Sequence, residues 1–453
     1  MPIERSVFQR INNKADIQIG GYSNTNFHYL QAKLSPIDGG VPIDWTNMVA
    51  NLSAGSFRFE IRNVETGWYK LEMRGLENGI QKGDITEVSK VGVGEVFVVA
   101  GQSNAQGGRP PEGGFYESTF YGAQHDKVNC IDYYTNSSAS SFPLPVISKI
   151  NEQTNISPKG KASWSWGLLG DKIAENWNVP VIFFNAAIGA TKINQWSNGA
   201  DGFPNYNEYE NTTYYDGWPY VYLKKTLEYY VKIFGLRAIL WHQGEENLPY
   251  FGQNGNEAIE YINNLENLIN KSRIHSNNNI SWVIALVSRY GDNTNSELIE
   301  AQHTVALKPN FNTFLGPNTD HIQPGAIYRD GGVHFRGTGL IELSEAWFAS
   351  INNAEFLANS LPIAPSNNLT IINNQFVFGN SPVPCTDINQ SLSSGDWNDP
   401  QIWSCGSVPN EQSVVIINEG HVVSISANNV FIKSLELKGT LNLSDDAQIN
   451  FVE

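Results

Sequence analysis

Cysteine, methionine and positive charge are scarce in this sequence. It contains three cysteines and three methionines in 453 residues, and 29 Lys and Arg against 45 Asp and Glu. The formal net charge is therefore −16 at pH 7. Phosphate backbones and anionic membrane surfaces repel a protein of this charge, so the sequence argues against a nucleic-acid partner.

Long apolar runs are missing as well. No window approaches the roughly 20 consecutive apolar residues that a membrane-spanning helix needs, and we expect no membrane insertion. Residues 1–5 have neither the basic start nor the apolar run of a signal peptide. We therefore expect that any leader is absent from this chain.

The cysteines bear on the cellular compartment. Cys130 stands alone, whereas Cys385 and Cys405 lie in a C-terminal segment rich in Gly, Ser and Asn. A disulfide between these two residues would indicate an oxidising compartment, and two unpaired thiols are the alternative. With the disulfide, we expect a secreted, cell-surface or periplasmic protein.

Glycine and aromatic residues are abundant. The chain has 40 Gly, 12 Trp and 19 Tyr, is 41% hydrophobic and only 16% charged, a composition typical of mixed, β-rich globular domains. Its length is about three times the common domain size of roughly 150 residues. We predict three domains, which cover residues 1–93, 94–361 and 362–453.

Both flanking regions have the pattern of β structure. Alternating runs such as 56–60 and 68–72 predict antiparallel strands in a small N-terminal β-sandwich. Residues 362–368 have the composition of a linker. The short strands predicted after this linker suit either a sandwich or a β-solenoid fragment.

The central region changes to continuous apolar runs, which are typical of parallel strands buried on both faces. The runs are 95–100, 179–184, 236–241, 281–287 and the weaker 311–315. Helices are predicted between them, for example over 166–177 and 257–271. Alternating strands and helices predict an α/β fold with a doubly wound parallel sheet.

Polar residues cluster where these strands are predicted to end, at the edge where open α/β sheets bind ligands. The sets are 101–104, 185–191, 241–247 and 330–335. A serine after a strand is often only a helix N-cap, and a single histidine is more often structural than catalytic. Four such sets at one sheet edge instead predict an active site.

Aromatic residues are dense close to these sets. Trp164, Trp166, Trp196 and the segment 206–222 are candidates for the lining of a glycan cleft. The alternative is that these rings serve packing, which is equally common for aromatic insertions.

The polar sets resemble a known group. Gly-Gln-Ser-Asn at 101–104, His-Gln-Gly-Glu at 242–245 and the Asp/His element at 330–334 resemble the SGNH hydrolases, in particular the sialate O-acetylesterase and acetylxylan esterase branch of the carbohydrate esterases. The resemblance runs from about Val93 to Ser350, and the N-terminal region is similar to the β-domain that precedes the catalytic domain in some members. It implies an SGNH, flavodoxin-like doubly wound parallel sheet with flanking all-β N- and C-terminal domains.

The resemblance also implies roles for individual residues. Ser103 is the nucleophile, and His334 is the general base that accepts its proton. The N–H groups of Ser103 and Gly189 and the side-chain amide of Gln243 form the oxyanion hole. Serine attacks near neutral pH only when a base such as imidazole takes its proton, and preorganised donors stabilise the oxyanion. We expect His334 to titrate at about pH 6 to 7.

The carboxylate that orients His334 stays open between two residues. Family members usually carry Asp three residues before the catalytic histidine, where this sequence has Gly331, and Asp330 lies one position earlier. Either the loop has gained a glycine and Asp330 orients the imidazole, or Glu245 does so, as in the acetylxylan esterase branch. We favour Glu245, because an acid that follows a buried strand is held more firmly than one on a Gly-Gly loop.

The predicted function is serine-dependent removal of O-acetyl groups from an oligo- or polysaccharide through an acyl-enzyme. The alternative from another class is a non-catalytic polysaccharide-binding or surface-display protein on an esterase fold, since a fold alone does not give activity. A zinc hydrolase using His242 and Glu245 is disfavoured, because the sequence has no His-Glu-x-x-His pair. We expect no metal and no cofactor.

Overall fold

The computed structural model divides the chain into two units, Met1–Ser366 and Asn367–Glu453. It describes residues 2–108, 121–135, 145–322, 325, 327–366, 369–372, 375–378, 388–399, 402–403, 408–411, 413–426, 429–444 and 447–451. In these ranges, no helix combines the length and the apolar character needed to cross a membrane. Cys385 and Cys405, and with them the predicted disulfide, lie outside the described residues, whereas Cys130 is a buried free thiol.

One long strand joins the N-terminal β region to the rest of the first unit. The strands of this region are β1 (Ser6–Gln9), β2 (Lys14–Ser23), β3 (Phe27–Gly39), β4 (Ile43–Leu52), β5 (Gly55–Glu65), β6 (Gly67–Glu77) and β7 (Ile80–Gly101). The first part of β7 pairs antiparallel with β6, which pairs with β3, and β3 pairs with β4, while β2 pairs with β5. Strand β7 continues through residues 93–94, where the sequence predicted a change of domain.

The second part of β7 is the central strand of a parallel sheet. The strands that follow are β8 (Val128–Ile131), β9 (Ile147–Lys149), β10 (Val181–Asn185), β11 (Asn205–Asn207), β12 (Thr212–Tyr214), β13 (Ala238–His242), β14 (Trp282–Leu286), β15 (Thr313–Asn318), β16 (Arg329–Asp330) and β17 (His334–Phe335). The sheet order is β15-β14-β13-β7-β10-β8-β9, with only β9 antiparallel to its neighbour. The predicted α/β class, with parallel strands and additional all-β regions, is confirmed.

Helices connect the strands of this sheet. They are α1 (Ser103–Gln106), α2 (Trp166–Trp177), α3 (Ile193–Ala200), α4 (Val221–Glu228), α5 (Tyr230–Phe234), α6 (Glu257–Ser276), α7 (Ser296–Ala306), α8 (Thr338–Ile351) and α9 (Ala354–Asn359). The helix predicted over 166–177 is α2, and the helix predicted over 257–271 is α6, which extends to Ser276. Helices α2 and α8 pack against each other through Trp166 and Trp347, whose ring centroids are 5.9 Å apart.

Two small hairpins stand outside the main sheet. Strand β11 pairs with β12 in one of them, and β16 pairs with β17 in the other. Neither hairpin was predicted, because strands of two or three residues are too short to show a hydrophobic period. Both hairpins contribute residues to the cavity described below.

The second unit is built from short strands. They are β18 (Leu369–Ile372), β19 (Gln375–Phe378), β20 (Ile388–Gln390), β21 (Gly395–Asp396), β22 (Val414–Ile417), β23 (Val422–Ile425), β24 (Asn429–Ile432), β25 (Ser434–Leu437), β26 (Thr440–Leu443) and β27 (Gln448–Phe451). Strands β20, β22 and β25 pair in parallel, as do β21, β23 and β26, and β24 with β27. In a solenoid, the strands of successive turns pair in parallel. The pairing in the second unit therefore favours a β-solenoid fragment over a sandwich.

We predict that the second unit is dispensable for the ester hydrolysis that the resemblance implies. A chain that ends after Ser366 keeps the whole first unit and should hydrolyse a small aryl acetate within about twofold of the full chain, because separate units fold on their own cores. Steady-state kinetics and thermal unfolding of both chains measure this. Loss of activity in a truncated chain that still unfolds cooperatively would show that residues after 366 complete the active site.

Candidate active site

Ser103 lies on the turn that follows the central strand β7. The turn depends on Gly101, whose φ of 127° is unfavourable for other residues, and a Cβ there would lie 2.0 Å from the carbonyl oxygen of His242. The N–H of Gln102 donates to the same carbonyl at 2.9 Å. Strands β7 and β13 are therefore held together where they end, and Ser103 begins helix α1 at this edge.

The structure brings Ser103 and His334 together. The Nε2 atom of His334 lies 3.0 Å from Ser103 Oγ, which is hydrogen-bond distance, and both residues line a cavity of about 660 Å³. His334 is on the hairpin formed by β16 and β17. Arg329 anchors this hairpin, because its guanidinium donates to the Val333 carbonyl at 2.8 Å and lies 3.9 Å from the centroid of the Phe335 ring.

Asn104 connects the serine turn to the histidine hairpin. Its Nδ2 donates to the carbonyl oxygen of Val333 at 3.0 Å, and its Oδ1 accepts from the N–H of Phe335 at 3.1 Å. These two backbone groups flank His334 on either side. The buried Asn104 side chain thus bonds to the backbone on both sides of His334 and fixes this residue relative to Ser103.

Glu245 lies behind Asn104 and is fully buried. Its Oε1 accepts a hydrogen bond from Asn104 Nδ2 at 2.8 Å and lies 3.1 Å from His242 Nε2. Burial opposes ionisation of this carboxyl, but electrostatic attraction to His242 and hydrogen bonds from His242 and Asn104 outweigh it and lower the pKa of Glu245. Glu245, which the sequence favoured for orienting His334, is therefore ionised. It is connected to the hairpin of β16 and β17 through Asn104.

Asp330 is the cross-strand neighbour of His334 in the hairpin. Side chains directly opposite each other in an antiparallel pair share one face, with Cβ atoms about 4.5–5.5 Å apart. The turn between them uses Gly331 and Gly332 in the left-handed region, with φ values of 56° and 72°. The additional glycine relative to the family spacing is thus absorbed in the turn, and Asp330 stays beside His334.

Burial lowers the pKa of His334 to about 4, and the carboxylates of Glu245 and Asp330 oppose this shift. Imidazole accepts a proton only in its neutral form, and this form prevails above the pKa. This lowered pKa differs from the midpoint at about pH 6 to 7 that the sequence leads us to expect, because that expectation took an imidazole in water as reference.

The two amide donors that the sequence assigned beside Ser103 both bond to protein acceptors. Gln243 is fully buried, and its Nε2 donates to the Thr191 carbonyl at 3.0 Å and to Asn247 Oδ1 at 2.7 Å. The N–H of Gly189 donates to Gln106 Oε1 at 2.9 Å. In this arrangement, protein acceptors engage both donors, and their place in an oxyanion hole stays a prediction.

Gln102, which the sequence reasoning overlooked, presents an amide at the cavity wall. Its Oε1 accepts from the N–H groups of Gly244 at 3.0 Å and Glu246 at 3.2 Å, which fixes the direction of the amide. Its Nε2 donates to none of the described residues, and Gln102 lines the cavity beside Ser103. The Gly-Gln-Ser-Asn motif marks the position of this residue but not the orientation of its amide.

The aromatic candidates divide between the core and the cavity. Trp164, Trp166 and Trp196 are at most 2% exposed and serve packing. The segment around β11 and β12 lines the cavity instead, together with rings from other loops. The aromatic residues of the lining are Tyr134, Tyr209, Tyr214, Trp218, Tyr222 and Tyr290.

A metal site is not formed by the buried pair His242 and Glu245. In the part of the chain that the structure describes, no group of three or more His, Cys, Asp or Glu side chains is arranged to hold a metal ion. The pair supplies only two ligands, whereas zinc sites in proteins use three or four.

The chain is similar to several solved structures. It is similar to a carbohydrate acetylesterase from Xanthomonas citri, with 16% identity, a TM-score of 0.45, and coverage of 77% of this chain and 73% of that one. It is also similar to an acetyl xylan esterase from the rumen bacterium Butyrivibrio proteoclasticus, with 12% identity, a TM-score of 0.31, and coverage of 75% and 87%. No curated protein matches the chain.

The family comparison agrees with the sequence motifs. The profile of the family described as carbohydrate esterase, sialic acid-specific acetylesterase, matches residues 93–349, which include Ser103 and His334. The chain belongs to this family of carbohydrate esterases, as the resemblance predicted. Membership of the family implies a carbohydrate substrate.

We predict that Asn104 positions His334. Asn104→Ala and Asn104→Asp both remove the Nδ2 donor to Val333, and a displacement of about 1 Å at the reacting atoms costs about 10² in rate. The loss should appear in kcat of ester hydrolysis, with KM little changed. Asn264→Ala, which removes a side-chain bond on the surface of α6, is the matched control. Unchanged kcat in a folded Asn104→Ala protein would contradict the positioning role.

Proposed function

We propose that the protein hydrolyses O-acetyl esters of a glycan through an acyl-enzyme on Ser103. The observation that carries this proposal is the 3.0 Å contact between Ser103 Oγ and His334 Nε2 on the wall of a 660 Å³ cavity. A hydroxyl and an imidazole at this distance form a nucleophile and base pair. The family membership adds the carbohydrate substrate.

In the first step, Ser103 Oγ attacks the carbonyl carbon of the acetyl group while His334 Nε2 takes the hydroxyl proton. The C=O π bond opens, and its electron pair becomes the oxyanion. When the oxyanion collapses, the bond from carbon to the sugar oxygen breaks, and His334 returns the proton to that oxygen. The products are the sugar with a free hydroxyl and an acetyl ester of Ser103.

In the second step, water attacks the acetyl-serine. His334 takes a proton from the water, and a second oxyanion forms at the same place. Its collapse breaks the bond to Ser103 Oγ, which regains the proton from His334. Acetic acid leaves and loses its remaining proton to the solvent, and the starting state is restored.

The proposed oxyanion donors are the N–H of Ser103 and Nε2 of Gln102. Two backbone N–H groups hold the Gln102 Oε1 atom, so the opposite end of its amide is fixed before the substrate arrives. Preorganised donors of this kind stabilise a developing charge without reorganisation. Gln243 supports this arrangement, because its Nε2 lies 3.2 Å from Gln102 Oε1.

Asp330 is proposed to orient His334, which reverses the preference drawn from the sequence. The cross-strand register supports Asp330, whereas Glu245 bonds to Asn104 and lies against His242. Glu245 then acts as a buried negative charge that stabilises the imidazolium from a distance.

The proposed substrate also bears on location. Acetylated polysaccharides are too large to enter a cell, so an enzyme that acts on them works outside the cytoplasm. We therefore propose that the protein is secreted, on the cell surface or periplasmic, and that an acetylated oligo- or polysaccharide is its partner.

The direct test is Ser103→Ala. Removal of the attacking oxygen should lower kcat for an aryl acetate by about 10⁴ or more while thermal unfolding stays close to the native profile. A sulfonyl fluoride should add one adduct to the native chain, located at Ser103 by mass spectrometry, and none to the variant. Ser350→Ala, on α8, is the matched control. Hydrolysis by Ser103→Ala within tenfold of the native rate would place the nucleophile elsewhere.

The oxyanion assignment is tested by comparing two glutamines. Gln102→Ala should lower kcat by about 10² to 10³ with little change in KM, because the lost bond is made in the transition state. Gln243→Ala should cost less, since it removes only support. The reverse order of losses would restore the assignment made from the sequence.

The carboxylates are tested by kinetics and by pH. Asp330→Asn should lower kcat by about 10⁴, the effect expected when the wrong imidazole tautomer is favoured, and Glu245→Gln should cost much less. For the native chain, kcat/KM should be flat between about pH 6 and 8 and fall towards the His334 pKa of about 4 as the imidazole gains a proton.

In Asp330→Asn and Glu245→Gln, the fall of kcat/KM on the acid side should move to lower pH, because each native carboxylate raises the pKa of His334. A fall of kcat/KM at about pH 6 to 7 in the native chain would contradict the effect of burial on the pKa of His334. A larger loss from Glu245→Gln than from Asp330→Asn would identify Glu245 as the orienting residue.

A further inference from the structure

Exposed tyrosine rings gather next to the cavity. Tyr209, Tyr250 and Tyr290 are 65%, 38% and 41% exposed, and we call them the aromatic rim. Burial raises the pKa of the Tyr209 hydroxyl, and the charges of Glu246, Tyr290 and Tyr250 raise it further. Tyr209 and Tyr290 also line the cavity that contains Ser103.

Specific contacts hold Tyr209 and Tyr250 of the aromatic rim in place. The Tyr209 hydroxyl donates to Glu246 Oε1 at 2.9 Å, and the Lys192 ammonium lies 4.0 Å from the centroid of the Tyr250 ring. Tyr214 and Trp218 stack with centroids 5.1 Å apart on the same wall. Ordered rings that stay open to solvent beside a cavity are typical of a binding surface.

The charges along the cavity favour a neutral ligand. Glu210, Asp216 and Glu246 line it, together with Lys159 and Lys161. The Lys159 ammonium donates to a backbone carbonyl at 2.8 Å and is covered by two tyrosine rings, so its charge is held within the wall. Carboxylates accept hydrogen bonds from sugar hydroxyls, and they repel sugar acids.

We propose that the aromatic rim binds an uncharged glycan chain that extends from the acetylated sugar. The substrate is then a neutral acetylated oligo- or polysaccharide rather than a sugar acid. The C–H faces of pyranose rings stack on flat aromatic rings, and the continuity of the rim with the cavity places such a ring next to the sugar whose ester reaches Ser103. This inference rests on the proposed function.

The test measures hydrolysis of an acetylated xylo-oligosaccharide and of a small aryl acetate by each variant. For each variant, the result with the oligosaccharide is divided by the result with the aryl acetate. Tyr209→Ala should raise KM for the oligosaccharide about threefold to tenfold relative to this reference. Tyr209→Phe keeps the ring but loses the bond to Glu246, so its KM for the oligosaccharide should lie between the native value and that of Tyr209→Ala. Tyr22→Ala, which removes a ring 74% exposed on β2, is the matched control and should change neither substrate.

The charge is tested with O-acetylated polygalacturonate as the anionic substrate. The native chain should prefer the neutral oligosaccharide, and Glu210→Gln with Asp216→Asn should reduce this preference about fivefold at low salt. A native preference for the anionic substrate would overturn the inference. Equal losses on both neutral substrates in Tyr209→Ala would also overturn it, while leaving the esterase proposal intact. If the native chain cleaves no ester at all, the proposed function fails, and the role of the rim fails with it.

Discussion

The close approach of Gly101 to the carbonyl oxygen of His242 is the constraint on which the site depends. Only a residue without Cβ fits there, and the N–H of Gln102 bonds to the same oxygen. From this junction, the Gln102 side chain is anchored on the turn after β13, and Asn104 reaches Glu245. The junction lies between β7 and β13, where the strand order of the sheet reverses, and open α/β sheets bind ligands at such points.

Burial and the nearby carboxylates act on His334 in opposite directions, and they matter at different stages of the reaction. Burial keeps the imidazole neutral before a substrate arrives, and the two nearby carboxylates favour its charged form. In the proposed mechanism, the imidazolium forms only as Ser103 attacks, so the carboxylates stabilise the transition state more than the ground state. That difference is what accelerates a reaction. The same burial makes the imidazole a weaker base. The two carboxylates oppose this effect, because they raise the pKa of His334.

The sequence predicted those features that depend on periodicity and on motifs, and it left open those that depend on tertiary hydrogen bonds. The place of Ser103 beside the sheet follows from an apolar run, and that of His334 from the motif. By contrast, Gln102 and Gln243 both follow buried strands, and only their tertiary partners show that one amide faces the cavity while the other bonds to Thr191 and Asn247. The switch from alternating to continuous apolar residues near 93 marks where β7 changes neighbours, and the strand itself continues.

The continuity of β7 has a consequence for the order in which the chain folds during synthesis. Its first part pairs with β6 in a local hairpin, whereas Phe97 in its second part pairs with Ala238, far along the chain. Non-local pairs form late, because the entropy lost on closing a long loop must be overcome first. A chain that emerges from its N-terminus therefore carries a half-paired apolar strand until β13 has been made. During that interval, the unpaired edge of β7 can pair with other chains and cause aggregation. The yield of folded protein therefore depends on how soon β13 pairs with this edge.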